Sequence, residues 1–312
     1  MGKFWSLLFG IMMVACVGLF VVAPYANWWM AEPNSLHASR VDNLFYIILA
    51  VTGFFFILTE GIMVAFMWAY RGNPDLKAGN IYKGELPGFI RPLANVFNTP
   101  HKIEIAWTLV PAAILLYLAV AQISTWADIK YLSRMEKQIK EGETPIVCDV
   151  SARQFEWRVR YPNTARLKEM QTIKANAGKR DWERFSPHYD DVHVVNEVHA
   201  VKNKPMLVHL STRDVIHSFN LPHMRVKQDA LPGKMIPVWF TPINANVDKD
   251  GKELPGKIWE LPCAELCGWG HVRMVGRLYV HETVEDYQAW LAGVEKQQRN
   301  GTAPPQAVAA NQ

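Results

Sequence analysis

Scarce cysteine, the lack of a haem-attachment motif and the lack of a basic tract first limit what this sequence encodes. Only 4 of the 312 residues are cysteine. Cys16 lies in an apolar run and Cys148 opens a strand-like segment, so both are interpreted as small hydrophobic residues. No C-x-x-C-H sequence occurs, which excludes a fused c-type haem. No basic run with interleaved aromatic residues occurs, so nucleic acid is not an expected partner.

Neither sign of charge is in large excess. The formal net charge is +4, and from Asp128 onward 26 Lys and Arg face 23 Asp and Glu, a difference of +3. The second half of the chain is therefore not acidic as a whole. A strongly basic soluble partner would need a local acidic patch, or the partner is not strongly basic.

Metal-binding residue types are concentrated in one stretch, the sequence CAELCGWGHVRM over residues 263–274. The spacing C-x3-C-x3-H-x2-M brings two thiols, an imidazole and a thioether together, a donor set that suits copper. A second Cys four residues after the first indicates two coppers sharing two sulfurs, which requires one more imidazole. His217 is the candidate. A disulfide or a zinc site with two Cys and two His remains an alternative.

The residues around His217 extend this pattern. Residues 215–233 read VIHSFNLPHMRVKQDALPG and precede the Cys stretch. Together the two segments resemble subunit II of the haem-copper cytochrome c oxidases, which has an IHSF-like turn, a K-x-D-A-x-P-G segment and C-x-E-x-C-G-x-x-H-x-x-M in that order. The resemblance covers roughly residues 40–285.

The resemblance implies a dinuclear CuA centre. Two sulfurs would bridge the coppers, two imidazoles would be terminal ligands, and the thioether and one backbone carbonyl would be weak ligands. The implied ligands, in that order, are Cys263, Cys267, His217, His271, Met274 and the carbonyl of Glu265. The Glu265 side chain would face a magnesium ion at the boundary with subunit I. Trp269 and Trp239 are candidates for the hydrophobic shell of the centre.

The function implied by the resemblance is electron relay. Such a subunit accepts electrons from a c-type cytochrome at CuA and passes them to haem in subunit I, where oxygen is reduced to water and protons are pumped. Haem would be present only in the partner, and further oxidase subunits are expected. Two alternatives are the CuA subunit of a nitric-oxide-reducing relative and a membrane-tethered copper-binding or copper-delivery protein.

Apolar residues are clustered near the N-terminus. Residues 1–23 predict a transmembrane helix, with a signal segment as the alternative. An external loop over 24–43 precedes a transmembrane hairpin over 44–127. Lys and Arg outnumber Asp and Glu in its loop 71–103, which makes that loop cytoplasmic. We therefore expect a multi-pass protein of the bacterial inner membrane, with everything after Asp128 on the periplasmic side.

Two carboxyl groups lie in or beside the predicted spans. Glu60 is within a span, where a carboxyl group is costly and therefore a functional candidate, with a hydrogen-bonded structural Glu as the alternative. Glu104 lies in KIEIAWTLVP, which resembles the family's entry to its last span. The resemblance makes Glu104 the entry of a proton pathway into the catalytic subunit, and the alternative is an acid that stabilises a helix N-terminus.

The remaining chain predicts a β domain between helical segments. A linker over 128–144 precedes a copper domain over 145–282, in which short strand-like runs separated by Pro and Gly favour a sandwich or barrel. The predicted fold class is an α + β membrane protein: N-terminal transmembrane helices followed by a cupredoxin-like Greek-key β-sandwich or barrel. Residues 283–298 predict a C-terminal helix and residues 299–312 a disordered tail.

Two further features concern the surface of the predicted β domain. The segments 163–190 and 243–256 look inserted and predict surface loops. Many relatives carry a W-x-W cluster where this chain has Phe155-Glu156-Trp157. Its first Trp is the favoured contact with cytochrome c, so Phe155 and Trp157 are the candidates for electron entry.

Overall fold

The computed structural model describes residues 2–26, 28–69, 100–140, 143–177 and 187–301. It divides into two compact units. One comprises Met1–Met30 and Asp42–Ile123, and the other comprises Ala31–Val41 and Ser124–Gln312. Most of the predicted cytoplasmic loop 71–103 and nearly all of the predicted disordered tail lie outside the described residues.

The first unit is built from long apolar helices. α1 spans Gly2–Val22, α2 spans Ala38–Ala69, and α3 spans Pro100–Lys130. Two stretches are long and apolar enough to cross a membrane, Ala38–Ala65 and Glu104–Lys130, whereas the apolar part of α1 is the shorter Leu7–Val22. A span must satisfy its polar groups internally. Thr52 and Thr59 do so by donating their hydroxyls to carbonyls one turn back.

Three sheets form the second unit. The five-stranded sheet has the order β3-β2-β1-β5-β8, the three-stranded sheet β4-β10-β9, and the two-stranded sheet β6-β7. Within them β1 pairs parallel with β5 and β4 parallel with β10, and the other pairs are antiparallel. The strands are β1 Ile146–Arg153, β2 Glu156–Tyr161, β3 Val192–Val195, β4 Glu197–Val201, β5 Met206–Thr212, β6 His217–Leu221, β7 Val226–Ala230, β8 Ile236–Phe240, β9 Glu260–Pro262 and β10 Val275–His281.

Alternating side chains on β2 show how the core forms. Trp157, Val159 and Tyr161 point into the main apolar core because successive strand residues face opposite sides of the sheet. Arg160 departs from the pattern, since it is buried on the other face. Its guanidinium pairs there with the carboxylates of Asp149 and Asp191, which satisfies a charge that would otherwise be costly to bury.

Short helices complete this unit. The predicted linker contains α4, Leu132–Glu136, and the C-terminal helix α6 spans Val284–Arg299, with Thr283 accepting a hydrogen bond from the backbone N–H of Asp286. The expectation of a surface loop over 163–190 is wrong in its first half, where α5 spans Thr164–Ala177. The sequence TARLKEMQTIKANA is rich in helix formers, and Asn163 caps it through the backbone N–H of Arg166.

Candidate metal centre

The first imidazole is positioned by the start of β6. His217 is the first residue of that strand and is completely buried. An isolated antiparallel bridge joins Phe219 to Cys263, and the N–H of Ala264 donates to the carbonyl of Ser218 at 3.0 Å. These backbone contacts hold the His217 strand against the beginning of the Cys loop, although His217 and Cys263 are 46 residues apart in sequence.

The second part of the site is the loop between β9 and β10. Its two ends are tied together, because the N–H of Cys263 donates to the carbonyl of Met274 at 3.0 Å. A short 3-10 turn over His271–Arg273 then directs His271 back toward Cys267. The loop therefore returns its four donor side chains to one place before β10 begins.

Six potential donor atoms meet here. Cys263 Sγ lies 3.9 Å from Cys267 Sγ, 3.8 Å from His217 Nδ1 and 3.2 Å from the carbonyl oxygen of Glu265. Cys267 Sγ lies 3.6 Å from His271 Nδ1 and 3.8 Å from Met274 Sδ. The ligand atoms of His217, Cys263 and Cys267 all lie within 4.8 Å of one another. His217 thus flanks one sulfur and His271 the other.

These separations fit shared metal ions. Donor atoms about 2.3 Å from a tetrahedral ion lie about 3.8 Å from each other. Both cysteines are free, and their sulfurs are far beyond the roughly 2.05 Å of a disulfide. Six donors exceed the four that a zinc ion uses in a structural site. The His, Cys and Met cluster is a copper-binding set consistent with a dinuclear centre.

Burial favours the protonated thiol of Cys267 in the absence of metal. Desolvation and the neighbouring Cys263 sulfur raise the pKa of Cys267 to about 11. Because thiolates rather than thiols bind metals, loading of this site releases protons. Metal binding is therefore expected to strengthen as the pH rises.

Asp214 orients His217, and sequence reasoning did not identify it. Its carboxylate accepts a hydrogen bond from His217 Nε2 at 2.8 Å and from the backbone N–H groups of Gln154 and Val215, each at 2.7 Å. Nδ1 of His217 is thereby left facing Cys263. An acid three residues before a ligand His is a signal that could have found it, since ligand imidazoles commonly donate to carboxylates.

The Asp214→Asn variant is expected to bind copper roughly 10- to 100-fold more weakly, because loss of the carboxylate weakens the orientation and basicity of His217. The measurement is chelator competition on the purified full chain. Asp190→Asn is the matched control, since Asp190 also pairs with an imidazole, that of His188, but on the surface. Equal affinities in both variants would contradict the role of Asp214.

Aromatic residues surround the centre at different depths. Trp157 is wholly buried, with its ring edge-on to His217 at 6.2 Å and to Phe219 at 5.7 Å. The two tryptophans that the sequence suggested for the hydrophobic shell of the centre are not part of it. Trp269 is 84% exposed, and Trp239 packs with Met135, Val147 and Leu207 in a separate cluster. The apolar shell is therefore supplied by strands β2 and β6, which the spacing of the motif did not reveal.

The turn between β1 and β2 packs directly on the Cys loop. Gln154 Nε2 donates to the carbonyl of Cys267 at 2.5 Å, and the ring of Phe155 covers two glycines, Gly268 and Gly270. A Cβ at Gly270 would lie well inside van der Waals contact with that ring. Gly268 has φ +132°, a conformation that favours glycine. Close approach of the turn thus requires glycine at both positions.

The Gly270→Ala variant is expected to lose about 1–3 kcal/mol of folding stability, because the methyl group displaces the Phe155 ring in a tightly packed contact. Thermal unfolding of the purified chain measures the loss. Gly293→Ala in α6 is the control, since nothing lies within 4 Å of a Cβ there. An unchanged unfolding temperature in the Gly270→Ala variant would show that the turn carrying Phe155 moves aside without loss of stability.

The carboxyl groups singled out from sequence occupy distinct places. The Glu265 side chain is exposed while its carbonyl faces Cys263. Glu104 is exposed in α3, with a carboxylate oxygen 3.7 Å from His101 Nδ1, and Glu60 is partly buried in α2. Their roles in magnesium binding and proton movement stay predictions.

Comparison with known proteins gives one family. Residues 146–278 match the family model described as cytochrome c oxidase subunit II, periplasmic domain. Cytochrome c oxidase subunit 2 of Thermostichus vulcanus is 27% identical over 96% of this chain and 87% of its own length. The corresponding protein of Synechocystis sp. is 24% identical over 93% of this chain and 83% of its own. Both similarities extend over the helices and the sheets.

Among solved structures, the chain is similar to the periplasmic domain of subunit II of cytochrome oxidase of Bradyrhizobium japonicum. The identity is 20%, the TM-score is 0.35, and the match covers 50% of this chain and 97% of that domain. Together, the family-model match and the N-terminal apolar helices confirm the predicted fold class, transmembrane helices followed by a cupredoxin-like domain.

Proposed function

Because this chain belongs to the cytochrome c oxidase subunit II family, we propose that it is the subunit that receives electrons from a c-type cytochrome at a dinuclear copper centre. Membership makes it a subunit of a haem-copper oxidase, with subunit I implied as its partner. In the proposed relay the electrons continue to haem in subunit I, where oxygen is reduced to water and protons are pumped.

The observation that carries the proposal is the pair of free thiols 3.9 Å apart, each with an imidazole beside it. We propose His217, Cys263, Cys267, His271, Met274 and the Glu265 carbonyl as the copper ligands. When bound, the copper pair supplies a one-electron redox couple. The similarity along both helices and sheets favours an oxidase subunit over a copper-delivery protein.

The protein's own residues keep this site rigid. Asp214 fixes one imidazole, the hydrogen bond between Cys263 and Met274 closes the ligand loop, and burial of both sulfurs excludes water. A relay site works best when its ligands move little between oxidation states, since ligand movement adds to the barrier for electron transfer. The buried, hydrogen-bonded loop meets that requirement.

The membrane arrangement follows from the sequence pattern. We propose a multi-pass protein of the bacterial inner membrane with the copper domain in the periplasm, where a c-type cytochrome reaches it. Glu104 would then lie near the opposite surface, where a proton pathway begins. The Glu265 side chain, exposed beside the copper ligands, is proposed to bind magnesium at the contact with subunit I.

The test is purification of the complex from its native membrane. Electron paramagnetic resonance is expected to show a dinuclear copper signal, metal analysis two coppers for each copy of this chain beyond those of subunit I, and optical spectra a co-purifying haem subunit. A complex without the dinuclear signal would contradict the proposal.

A further inference from the structure

Four of the proposed ligands form two halves of the site, and each half has its own support. His217 and Cys263 form the first half, in which two backbone contacts hold β6 against the start of the Cys loop. Cys267 and His271 form the second half, with Sγ and Nδ1 3.6 Å apart. The halves meet where the sulfurs of Cys263 and Cys267 lie 3.9 Å apart. A dinuclear centre needs that separation to be kept.

The chain segment of the second half, residues 267–271, has little stiffness of its own. Two of the three residues between its ligands are glycine, and one of them, Gly268, adopts φ +132°. The N–H of His271 donates to the Gly268 carbonyl at 3.1 Å, which forms a turn within the segment. Glycine loses more backbone freedom on ordering than any other residue. The placement of the second half therefore depends on what packs against this segment.

A side chain from the turn between β1 and β2 makes that contact. Gln154 Nε2 donates to the Cys267 carbonyl at 2.5 Å, and a Cβ at Gly268 would lie only 2.8 Å from the same nitrogen. The ring of Phe155 covers the other glycine of the segment. Within the described ranges, the bond from Gln154 is the only hydrogen bond that joins the backbone of this segment to a part of the chain outside the Cys loop.

The same residue also contacts the support of the first half. The backbone N–H of Gln154 donates to Asp214 Oδ2 at 2.7 Å, and the other oxygen of that carboxylate accepts from His217 Nε2 at 2.8 Å. The turn itself is fixed, because β1 and β2 pair as far as Arg153 and Glu156 on either side of it. Gln154 therefore links a rigid sheet to one half through its main chain and to the other half through its side chain.

Building on the proposed function, we propose that Gln154 is a positioning residue for the copper centre: its amide fixes the second half of the site relative to the first half before any metal is bound. Gln154 is not itself a ligand. It holds the Cys267 carbonyl, and with it the Cys267 sulfur, at the distance that two shared metal ions need. Ligands ordered in advance bind more tightly, because binding then bears less of the entropy cost of ordering a loop.

The geometry of the contact decides which replacement is informative. Gln154 is exposed on its turn, so its replacement leaves the apolar core intact. At 2.5 Å between donor and acceptor, no water fits between the amide and the loop. Gln154→Met fills the same space without a donor, whereas a shorter side chain would admit water. The backbone N–H that reaches Asp214 is present in either case, so only the side-chain contact is removed.

Copper affinity is the first measurement, by chelator competition on the purified full chain. We expect Gln154→Met to bind copper about 10-fold more weakly, in the range found for groups that orient ligands from outside the metal's coordination shell. Gln298→Met is the matched control. The amide of Gln298 also donates to a backbone carbonyl, that of Asp191 at 2.9 Å, but its partners are not among the proposed ligands. The control should bind copper as the unmodified chain does.

Amide hydrogen exchange of the metal-free full chain measures the positioning directly. In Gln154→Met, we expect residues 267–271 to exchange about 5- to 10-fold faster, because local opening no longer breaks a hydrogen bond. Strand β6, which carries the first half, should exchange at its usual rate. Gln154→Lys restores an N–H donor of similar length and should bring the rate of the segment to within about 3-fold of the unmodified chain.

Unchanged exchange of residues 267–271 or unchanged copper affinity in Gln154→Met would overturn the positioning role. Faster exchange of the segment and of β6 to the same extent would also overturn it, because that pattern reports a general loss of stability. The proposed function is tested separately. An unmodified complex without a dinuclear copper signal contradicts that function, whereas a normal signal together with unaltered exchange in Gln154→Met contradicts only the role of Gln154.

Discussion

The Cys263→Ser variant is expected to lose the dinuclear copper signal and to reduce cytochrome oxidation at least about 100-fold, since even residues that merely orient a ligand account for 10- to 100-fold effects. Cys263 Sγ contacts His217, Cys267 and the Glu265 carbonyl, so its replacement disturbs both halves of the site. A serine oxygen is a harder and weaker donor for copper. Resonance spectra and metal analysis of the purified complex measure the loss.

Cys148→Ala is the control for this variant. Cys148 is a free thiol, completely buried on β1, and burial raises its pKa well above the ordinary value. It has no imidazole or second sulfur beside it among the contacts of the described chain. Copper content and the spectrum should therefore be retained. A dinuclear signal that survives in Cys263→Ser would show that this sulfur does not bridge the metals.

A second large effect is expected on folding stability when the pH is lowered. His199 Nδ1 lies 3.0 Å from His281 Nε2, and the His199 ring stacks on Trp290 of α6 with centroids 3.5 Å apart. Both imidazoles are almost fully buried. The charged groups that face them are Glu197, with Oε2 3.5 Å from His199 Nε2, and Asp286 at the start of α6. Two neutral imidazoles therefore contribute to the packing of α6 against the sheets, through their contacts with Trp290.

The direction in which pH changes the folding stability follows from the direction of the two pKa shifts. Burial lowers the pKa of His199 well below 6.5 and the pKa of His281 to about 4. The stability they contribute is complete above the unfolded pKa near 6.5 and is lost as the pH falls from there toward 4. At 1.36 kcal/mol for each pKa unit, protonation of His281 alone costs about 3 kcal/mol by pH 4.

Thermal unfolding of the purified chain between pH 7 and pH 4 measures this loss. His281→Gln keeps a neutral hydrogen-bonding group beside His199, and we expect it to reduce the fall in transition temperature by about half, because one of the two titrating imidazoles is removed. His188→Gln, which removes a surface imidazole paired with Asp190, is the control. Equal acid sensitivity in all three proteins would exclude the buried pair as the cause.

The proposed copper ligands could be suggested from sequence because five of the six lie within one twelve-residue stretch, residues 263–274. The fold class was predictable because helix spans and strand alternation are periodic patterns in hydrophobicity. The helix α5 was missed because its first turns lie in a charged segment that resembles a loop in composition. Its cap at Asn163 was the available signal.

By itself, the sequence determined the resemblance to one family, the residue types of the proposed site and the succession of apolar helices followed by strands. Each of these depends on residue type and on short-range spacing. Only the tertiary structure decided which side chains surround that site. Gln154 reaches the Cys267 carbonyl from 113 residues away, Trp157 is buried and Trp269 exposed. Such contacts depend on how strands that are distant in sequence pack together. The spacing of residues along the chain does not specify that packing.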